Sequence, residues 1–182
     1  AAAAGDITAT VNGTTNVTAT ATGAGASITV TGGKAVSATA TAAITGDALT
    51  TVTVKGGNAN TIDNTDADGN TSVGETLKSV TFEANAAGTN TVKGNAIDTL
   101  TLKDQIAALT TTITNDKSTA LTVNLNNVNG ATVNAGTKAE TVTINSNGTK
   151  DNTLELHAAT SKTLNIAGDA AFTLLTGSTL TV

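Results

Sequence analysis

The sequence predicts an all-β protein, a parallel β-solenoid (β-helix or β-roll) built from short threonine-rich strands. Aliphatic residues occupy every second position inside short runs, which is the periodicity of a β-strand. These runs recur at a step of roughly ten residues, as in repeat architectures. The chain contains two phenylalanines and no Trp, Tyr, Met, Cys or Pro, so Val, Ile, Leu and Ala have to fill its core.

The strand runs are clearest in the second half of the chain. Each run places aliphatic side chains on one face and Thr, Asn, Glu or Lys on the other. The predicted strands here are 76–82, 99–102, 111–114, 121–125, 141–144, 153–156, 163–166, 172–174 and 179–182. Val92 and Val133 fall on the same step outside these runs. The Gly, Asn, Asp and Ala residues between the runs tolerate the left-handed dihedrals of turns.

The first half contains a more degenerate version of the pattern. Its predicted strands are 7–11, 17–22, 28–31, 36–41 and 52–54. Alanine replaces leucine at many inward positions, so a thinner coil is expected here. Three regions follow: a degenerate Thr/Ala-rich β-repeat region at 1–62, an acidic Asp/Asn/Gly loop at 63–75, and a regular β-repeat region at 76–182. The helical candidate at 103–108 is expected to be only a turn, because β-branched residues disfavour helices.

The alternative architecture is a pair of tandem antiparallel β-sandwich domains on either side of the acidic loop. A sandwich core generally needs bulky aromatic residues between sheets packed about 10 Å apart. A narrow solenoid, by contrast, can be filled by aliphatic residues. The sequence has few charged residues and no proline, which suits a solenoid in which like residues stack on successive coils. With two strands per coil, we expect a repeat of about twenty residues and coils spaced about 4.8 Å apart.

Composition and charge disfavour several classes of function. The sequence has nine cationic residues, all lysine, and 14 acidic residues. The resulting net charge of −5 argues against nucleic-acid binding. No run of 18 apolar residues predicts a transmembrane helix, and no Sec-type signal peptide is visible. An enzyme is not expected, because the sequence lacks a nucleophile elbow, a phosphate loop and an H-E-x-x-H motif. The absence of cysteine leaves the redox compartment open.

The remaining titratable groups do not form a predicted catalytic set. Glu83, Asp98 and Glu155 are isolated carboxylates with no sign of the pairing that glycoside hydrolysis requires. His157 is expected to be a lone exposed histidine, beside Glu155 and on the opposite face from Leu154.

One acidic segment has the spacing of a metal-binding loop. Read from Asn64, oxygen-bearing side chains stand at positions 1, 3 and 5, glycine at 6 and glutamate at 12, as in an EF-hand-type calcium loop. Such spacing lets alternate side chains turn inward while the glutamate supplies two oxygens. The candidate calcium ligands are Asn64, Asp66, Asp68, Asn70 and Glu75. A solvated turn is the alternative, because no flanking helices are predicted and the first position lacks a charge.

Thr-x-Thr pairs recur along the whole chain, for example at 8–10, 51–53, 99–101 and 141–143. If such pairs were aligned on one flat face, they could order water as ice-binding solenoids do. Threonine is also the favoured outward residue of any β-rich chain. The irregular length of the repeat is expected to break a flat array.

The chain resembles the repeat region of Gram-negative surface-layer (S-layer) proteins. The shared features are the dominance of Thr, Ala, Asn and Gly, an excess of acidic over basic residues, and T-L-x-[IVL] strands such as 163–166. The similarity is to type I-secreted, RTX-related arrays of the Caulobacter and Campylobacter kind, although a complete G-G-x-G-x-D-x-U-x block is absent. Giant repeat adhesins share these features.

The resemblance implies an extracellular structural protein of the bacterial cell surface that self-associates into a lattice or fibre with calcium. It implies export by an uncleaved C-terminal signal, and it carries calcium ligands only to the segment 64–75. Binding to cell-surface polysaccharide would belong to a separate domain that we do not find in this chain. The alternative function is a repeat-containing adhesin stalk or an ice-binding β-solenoid.

Overall fold

The computed structural model describes residues 2–3, 7–11, 17–21, 27–32, 36–40, 51–55, 60–63, 77–85, 87–105 and 108–182, with backbone only before residue 51. All secondary-structure elements in this part of the chain are β-strands. In chain order they are β1 (Ala2–Ala3), β2 (Ile7–Val11), β3 (Val17–Ala21), β4 (Ser27–Gly32), β5 (Val36–Ala40), β6 (Thr51–Lys55), β7 (Thr61–Asp63), β8 (Ser79–Glu83), β9 (Gly88–Lys93), β10 (Thr99–Lys103), β11 (Leu109–Thr114), β12 (Ala120–Asn126), β13 (Ala131–Asn134), β14 (Thr141–Asn147), β15 (Asn152–Ala158), β16 (Thr163–Gly168), β17 (Phe172–Leu174) and β18 (Thr179–Leu180).

The strands form two parallel sheets. Sheet A has ten strands, ordered β1-β3-β5-β7-β9-β11-β13-β15-β17, with β18 also paired to β15. Sheet B has eight strands and contains every even-numbered strand from β2 to β16. Up to β17, successive strands of the chain alternate between the sheets, so each coil contributes one strand to each. The predicted parallel β-solenoid is confirmed, and the antiparallel sandwich alternative is wrong.

The register of sheet B gives the length of one coil. Glu83 and Lys103 are register partners, as are Thr101 and Asn124, and then Asn124 and Asn145. The side chains of these three pairs are hydrogen-bonded across sequence separations of 20, 23 and 21. The expected repeat of about twenty residues, with two strands per coil, is therefore correct. The variation in coil length falls in the corners between strands and leaves the strand register intact.

The coil that contains the acidic segment is longer than its neighbours. The Asn60 amide, just before β7, donates to Asn90 Oδ1 on β9 at 2.7 Å, across a sequence separation of 30. The ladders nevertheless pass directly from β6 to β8 and from β7 to β9. Thr51 pairs with Ser79, and Thr61 pairs with Thr91. The strands before and after this segment are therefore neighbours in the same two sheets.

The core lies between the sheets and is lined by alternate residues of each strand. Strands β6, β8 and β10 share one burial pattern, in which two fully buried apolar residues alternate with three half-buried polar ones. Among the described residues, the apolar part of the core is aliphatic except for Phe82, which is completely buried. Fully burying a Val, Leu, Ile or Phe side chain contributes roughly 1.5–3 kcal/mol relative to leaving it exposed. The alternating pattern is therefore sufficient to decide which face of each strand packs against the core.

Left-handed residues turn the chain from sheet B towards sheet A. Ala84, Asp104, Asn127 and Gly148 each follow the last residue of a sheet B strand, with φ of 50°, 53°, 57° and 108°. The backbone N–H of Asp104 donates to the carbonyl of Asn126 on the next coil at 2.8 Å. Asp, Asn and Gly suit this conformation, whereas alanine does not. The helical candidate at 103–108 therefore begins as a corner of this type.

Several strand boundaries differ from the predicted ones. The strands β7, β9 and β13 were not among the predicted runs, although Val92 and Val133 lie in two of them. In β9 a polar residue conceals the alternation, because Asn90 takes a core position in sheet A. The predicted strand at 76–82 begins only at Ser79.

Candidate functional site

The five candidate calcium ligands, Asn64, Asp66, Asp68, Asn70 and Glu75, lie outside the described residues. The described strands fix where this segment leaves and rejoins the solenoid. Strand β7 ends at Asp63 in sheet A, and Leu77 is already buried just before β8 in sheet B. The corner between these two strands runs from 64 to 78, whereas the next sheet A to sheet B corner, between β9 and β10, runs only from 94 to 98.

An insertion at a solenoid corner can vary without disturbing the sheets. Functional loops are usually placed at such connections. The calcium site remains a prediction at this position. Within the residues that the structure describes, no three His, Asp or Glu side chains come together as a possible metal site.

The Glu83 carboxylate lies between two lysines on the outer side of sheet B. Lys55, Glu83 and Lys103 are register partners on β6, β8 and β10. The Lys103 Nζ donates to Glu83 Oε1 at 3.0 Å, and the Lys55 Nζ lies 3.3 Å from Oε2. The hydrogen bond from Lys103 lowers the pKa of Glu83 against a smaller effect of burial, and the contact raises the pKa of Lys103. Glu83 is therefore held ionised, which is unsuitable for a general acid.

The three isolated carboxylates do not converge. Asp98 accepts a hydrogen bond from the Thr99 hydroxyl at 2.8 Å, at the start of β10. Glu83 contacts the opposite end of β10, which is about 16 Å away along the strand. Glu155 belongs to β15 in the other sheet.

His157 is not the lone residue that the sequence predicts. It does lie opposite the buried Leu154 and Leu156, but its Nε2 is 2.8 Å from Glu155 Oε1 and its Nδ1 is 3.3 Å from Thr179 Oγ1. Both side chains of the His–Glu pair are about one-third exposed. Sequence reasoning missed Thr179 because it lies a full coil further along the chain and reaches the histidine only through the pairing of β15 with β18.

An acid, a histidine and a hydroxyl in a row have the order of a catalytic triad, but their surroundings differ from those of a triad. Oxyanion stabilisation requires free backbone donors beside the hydroxyl. Here the residues lie on the outer face of sheet A, and the neighbouring Leu156 N–H already donates to the Ser178 hydroxyl at 2.9 Å. The row therefore joins the last coil to the preceding one.

The outer side of sheet B carries two continuous columns of small polar side chains, which we call the threonine face. In the strands with described side chains, the first column is Thr51, Ser79, Thr99, Thr122, Thr143 and Asn165, and the second is Thr53, Thr81, Thr101, Asn124, Asn145 and Ala167. The Asn145 amide donates to Asn124 Oδ1 at 2.9 Å, and the Asn124 amide donates to Thr101 Oγ1 at 3.3 Å. Contrary to expectation, unequal coil lengths do not break this alignment.

The last coil leaves apolar core positions partly open. Ile166 on β16 continues the column of Ile144 but is 55 % exposed, and Val182 is 65 % exposed. Phe172 and Leu174 on β17 are only partly buried against the core. Strand β16 contains no charged residue and pairs on one side only, with β14.

In the part of the chain that the structure describes, no helix has the length and apolar character needed to cross a membrane. No family model matches the sequence, and neither the curated proteins nor the solved structures include a match.

Proposed function

We propose that this chain is a structural protein of a bacterial cell surface, acting as a β-solenoid building block of an S-layer-type lattice that assembles with calcium. The observation that supports this most directly is the unbroken parallel register of both sheets, from β2 to β16 in sheet B and from β1 to β17 in sheet A. Stacked coils satisfy their backbone groups internally and give a scaffold that needs no disulfide.

Self-association is the part of this proposal that rests on the resemblance to S-layer repeat regions. Identical copies joined through one repeated contact form a fibre, and lateral contacts would extend the fibre into a sheet.

Calcium is supported by the spacing of the acidic residues together with the position of the segment. The segment connects β7 in sheet A with β8 in sheet B and is longer than the connection between β9 and β10. Asp66, Asp68 and Glu75 would supply the charge, and Asn64 and Asn70 would supply further oxygen ligands. The ion would either stabilise the corner or link two copies.

Attachment to cell-surface polysaccharide is proposed to reside in a domain other than this chain. Sugar rings are commonly bound on aromatic platforms, and the two phenylalanines of this chain both face the core: Phe82 is buried, and Phe172 packs against the cluster. A repeat adhesin would use the same solenoid as a stalk.

Electron microscopy of the purified chain during a calcium titration tests the proposal. We expect ordered sheets or fibres at about 0.1–1 mM calcium, the range typical of extracellular modules. The double variant Asp66→Asn/Asp68→Asn should fail to assemble, whereas Asp151→Asn, at an exposed corner position, should assemble normally. Particles that stay monomeric at every calcium concentration would exclude the lattice function, and equal assembly with a chelator would remove calcium from it.

A further inference from the structure

We propose that the threonine face of sheet B is an ice-binding surface whose ligand is crystalline water. This function is independent of lattice assembly, because it requires only the outer face of a single folded chain. The argument rests on the alignment, spacing, restraint and charge of the side chains in the two columns.

The alignment is two-dimensional. Along each strand the two columns are two positions apart, as in Thr51 and Thr53 or Thr99 and Thr101. Across the strands every position is occupied by Thr, Ser or Asn except Ala167 at the last coil. Six strands with described side chains contribute, so the face extends about 24 Å along the solenoid.

The spacing follows from the geometry of a parallel sheet. Neighbouring strands are about 4.8 Å apart, and residues two positions apart on one strand are about 6.6 Å apart. Polar side chains of the threonine face therefore repeat on a nearly rectangular grid, with hydroxyl groups in both columns on β6, β8 and β10 and in the first column on β12 and β14. A periodic grid of this kind can contact several water molecules of a periodic ice surface at once.

The side chains are restrained before any ligand binds. The threonines of both columns are half-buried between their neighbours, and the Thr101, Asn124 and Asn145 side chains form a hydrogen-bonded row. Side-chain ladders of this type also oppose the twist of a many-stranded sheet. Threonine has a single branched torsion, so holding it in place costs little conformational entropy. A preordered grid is needed because each contact with ice is weak.

The charge distribution favours sheet B over sheet A. The charged residues bordering the threonine face, Lys55, Glu83 and Lys103, lie at its edge and form one ion-paired row. On sheet A the equivalent columns are Thr89, Thr110, Thr132 and Glu155, and Thr91, Thr112, Asn134 and His157. Strongly hydrated Glu155 and His157 interrupt that array, and Lys93 is exposed beside it.

Crystalline water fits this surface better than a polysaccharide does. Neither phenylalanine of the chain lies on the threonine face, so it has no aromatic ring on which a sugar could stack. It offers hydroxyl and methyl groups in equal numbers at each threonine. That combination matches an ice surface, where water molecules both form hydrogen bonds and enclose apolar groups.

The test is thermal hysteresis and ice shaping by the calcium-free monomer. We expect a measurable gap between melting and growth temperatures, and faceted ice crystals, for the natural chain. Thr101→Lys, at the centre of the threonine face, should lose most of this activity. Thr112→Lys is the matched control, because Thr112 is equally half-buried and accepts a hydrogen bond from Asn134 at 3.0 Å on sheet A.

Circular dichroism and melting curves establish that each variant is folded. A folded natural chain with no hysteresis and no faceting would overturn the proposal, as would equal loss of activity in Thr101→Lys and Thr112→Lys. Binding to crystalline cellulose or chitin that Thr101→Lys abolishes, without any effect on ice, would assign the face to polysaccharide instead. Lattice assembly is measured separately by electron microscopy, so a failure of either proposal can be recognised by itself.

Discussion

Asn90 and Thr111 face each other as register partners on β9 and β11, and both side chains are completely buried. The amide nitrogen of Asn90 and the hydroxyl of Thr111 have no hydrogen-bond partner within the described ranges. On the following coils the same column is occupied by Val133 and then Leu156. The interior column thus changes from polar to apolar along the solenoid, and Thr111 stands at the boundary.

Replacing Thr111 with valine should stabilise the protein. The variant Thr111→Val keeps the shape of the side chain, continues the column of Val133, and removes a buried hydroxyl that lacks a partner. We expect the free energy of unfolding to rise by about 1–2 kcal/mol, measured by urea denaturation. The neighbouring, outward-facing Thr110→Val should change it by less than about 0.5 kcal/mol. A less stable Thr111→Val would show that the hydroxyl is satisfied.

Ala84 is a site where glycine should be better than alanine. It has φ of 50° at a corner where the equivalent positions of later coils hold Asp104, Asn127 and Gly148. The left-handed conformation costs a non-glycine residue about 1–2 kcal/mol, which exceeds the entropic cost of glycine. Ala84→Gly should therefore raise the melting temperature. Ala159→Gly, at an exposed turn without a positive φ, should lower it, and the same sign for both variants would contradict this account.

Gly168 should not tolerate a side chain. Its φ is 117°, and a Cβ added there would collide with the carbonyl oxygen of Ser146 on the preceding coil. We expect Gly168→Ala to lower the free energy of unfolding by about 1–3 kcal/mol. Hydrogen exchange should locate the loss in β16. The adjacent exposed Ala167→Ser is the control, and a comparable loss there would argue against the clash as the cause.

The row of Lys55, Glu83 and Lys103 should make stability depend on pH. The lysines lower the pKa of Glu83 from its ordinary value of 4.5. When the pKa of a carboxyl group is lower in the folded state, the group stabilises the fold fully at a pH above its unfolded-state pKa. This stabilisation is lost as the pH falls through the folded-state pKa. At neutral pH, the free energy of unfolding of the natural chain should exceed that of Glu83→Gln by at most about 1 kcal/mol. This difference should disappear in acid and become smaller in high salt. Denaturation across this pH range tests it, and a gap that grows below pH 4.5 would reverse the assignment.

Calcium should raise the melting temperature if the acidic corner binds it. Saturation to one hundred times the dissociation constant would stabilise the folded chain by about 2.7 kcal/mol. Calorimetry with calcium and with a chelator measures the difference, and Asp66→Asn/Asp68→Asn should abolish it. Identical melts of the natural chain under both conditions would leave the segment as a solvated turn.

Much of the architecture could be predicted from local patterns. Alternation with a period of two predicts strands, and the recurring Asn, Gly and Asp residues predict corners, because both depend on nearest neighbours along the chain. The near absence of aromatic residues was enough to favour a narrow solenoid over a sandwich. The predicted ends of β10 and β12 accordingly agree almost to the residue with the observed ones.

The contacts between coils depend on register, which no local pattern contains. Glu83 meets Lys55 and Lys103 only because strands from three successive coils align at the same level. The same alignment brings Thr179 to His157 and collects scattered Thr-x-Thr pairs into one face. A one-residue slip would send each of these side chains to the other side of its sheet. Alternation along the chain thus decided which residues could point outward, and only the stacking of coils decided which of them meet.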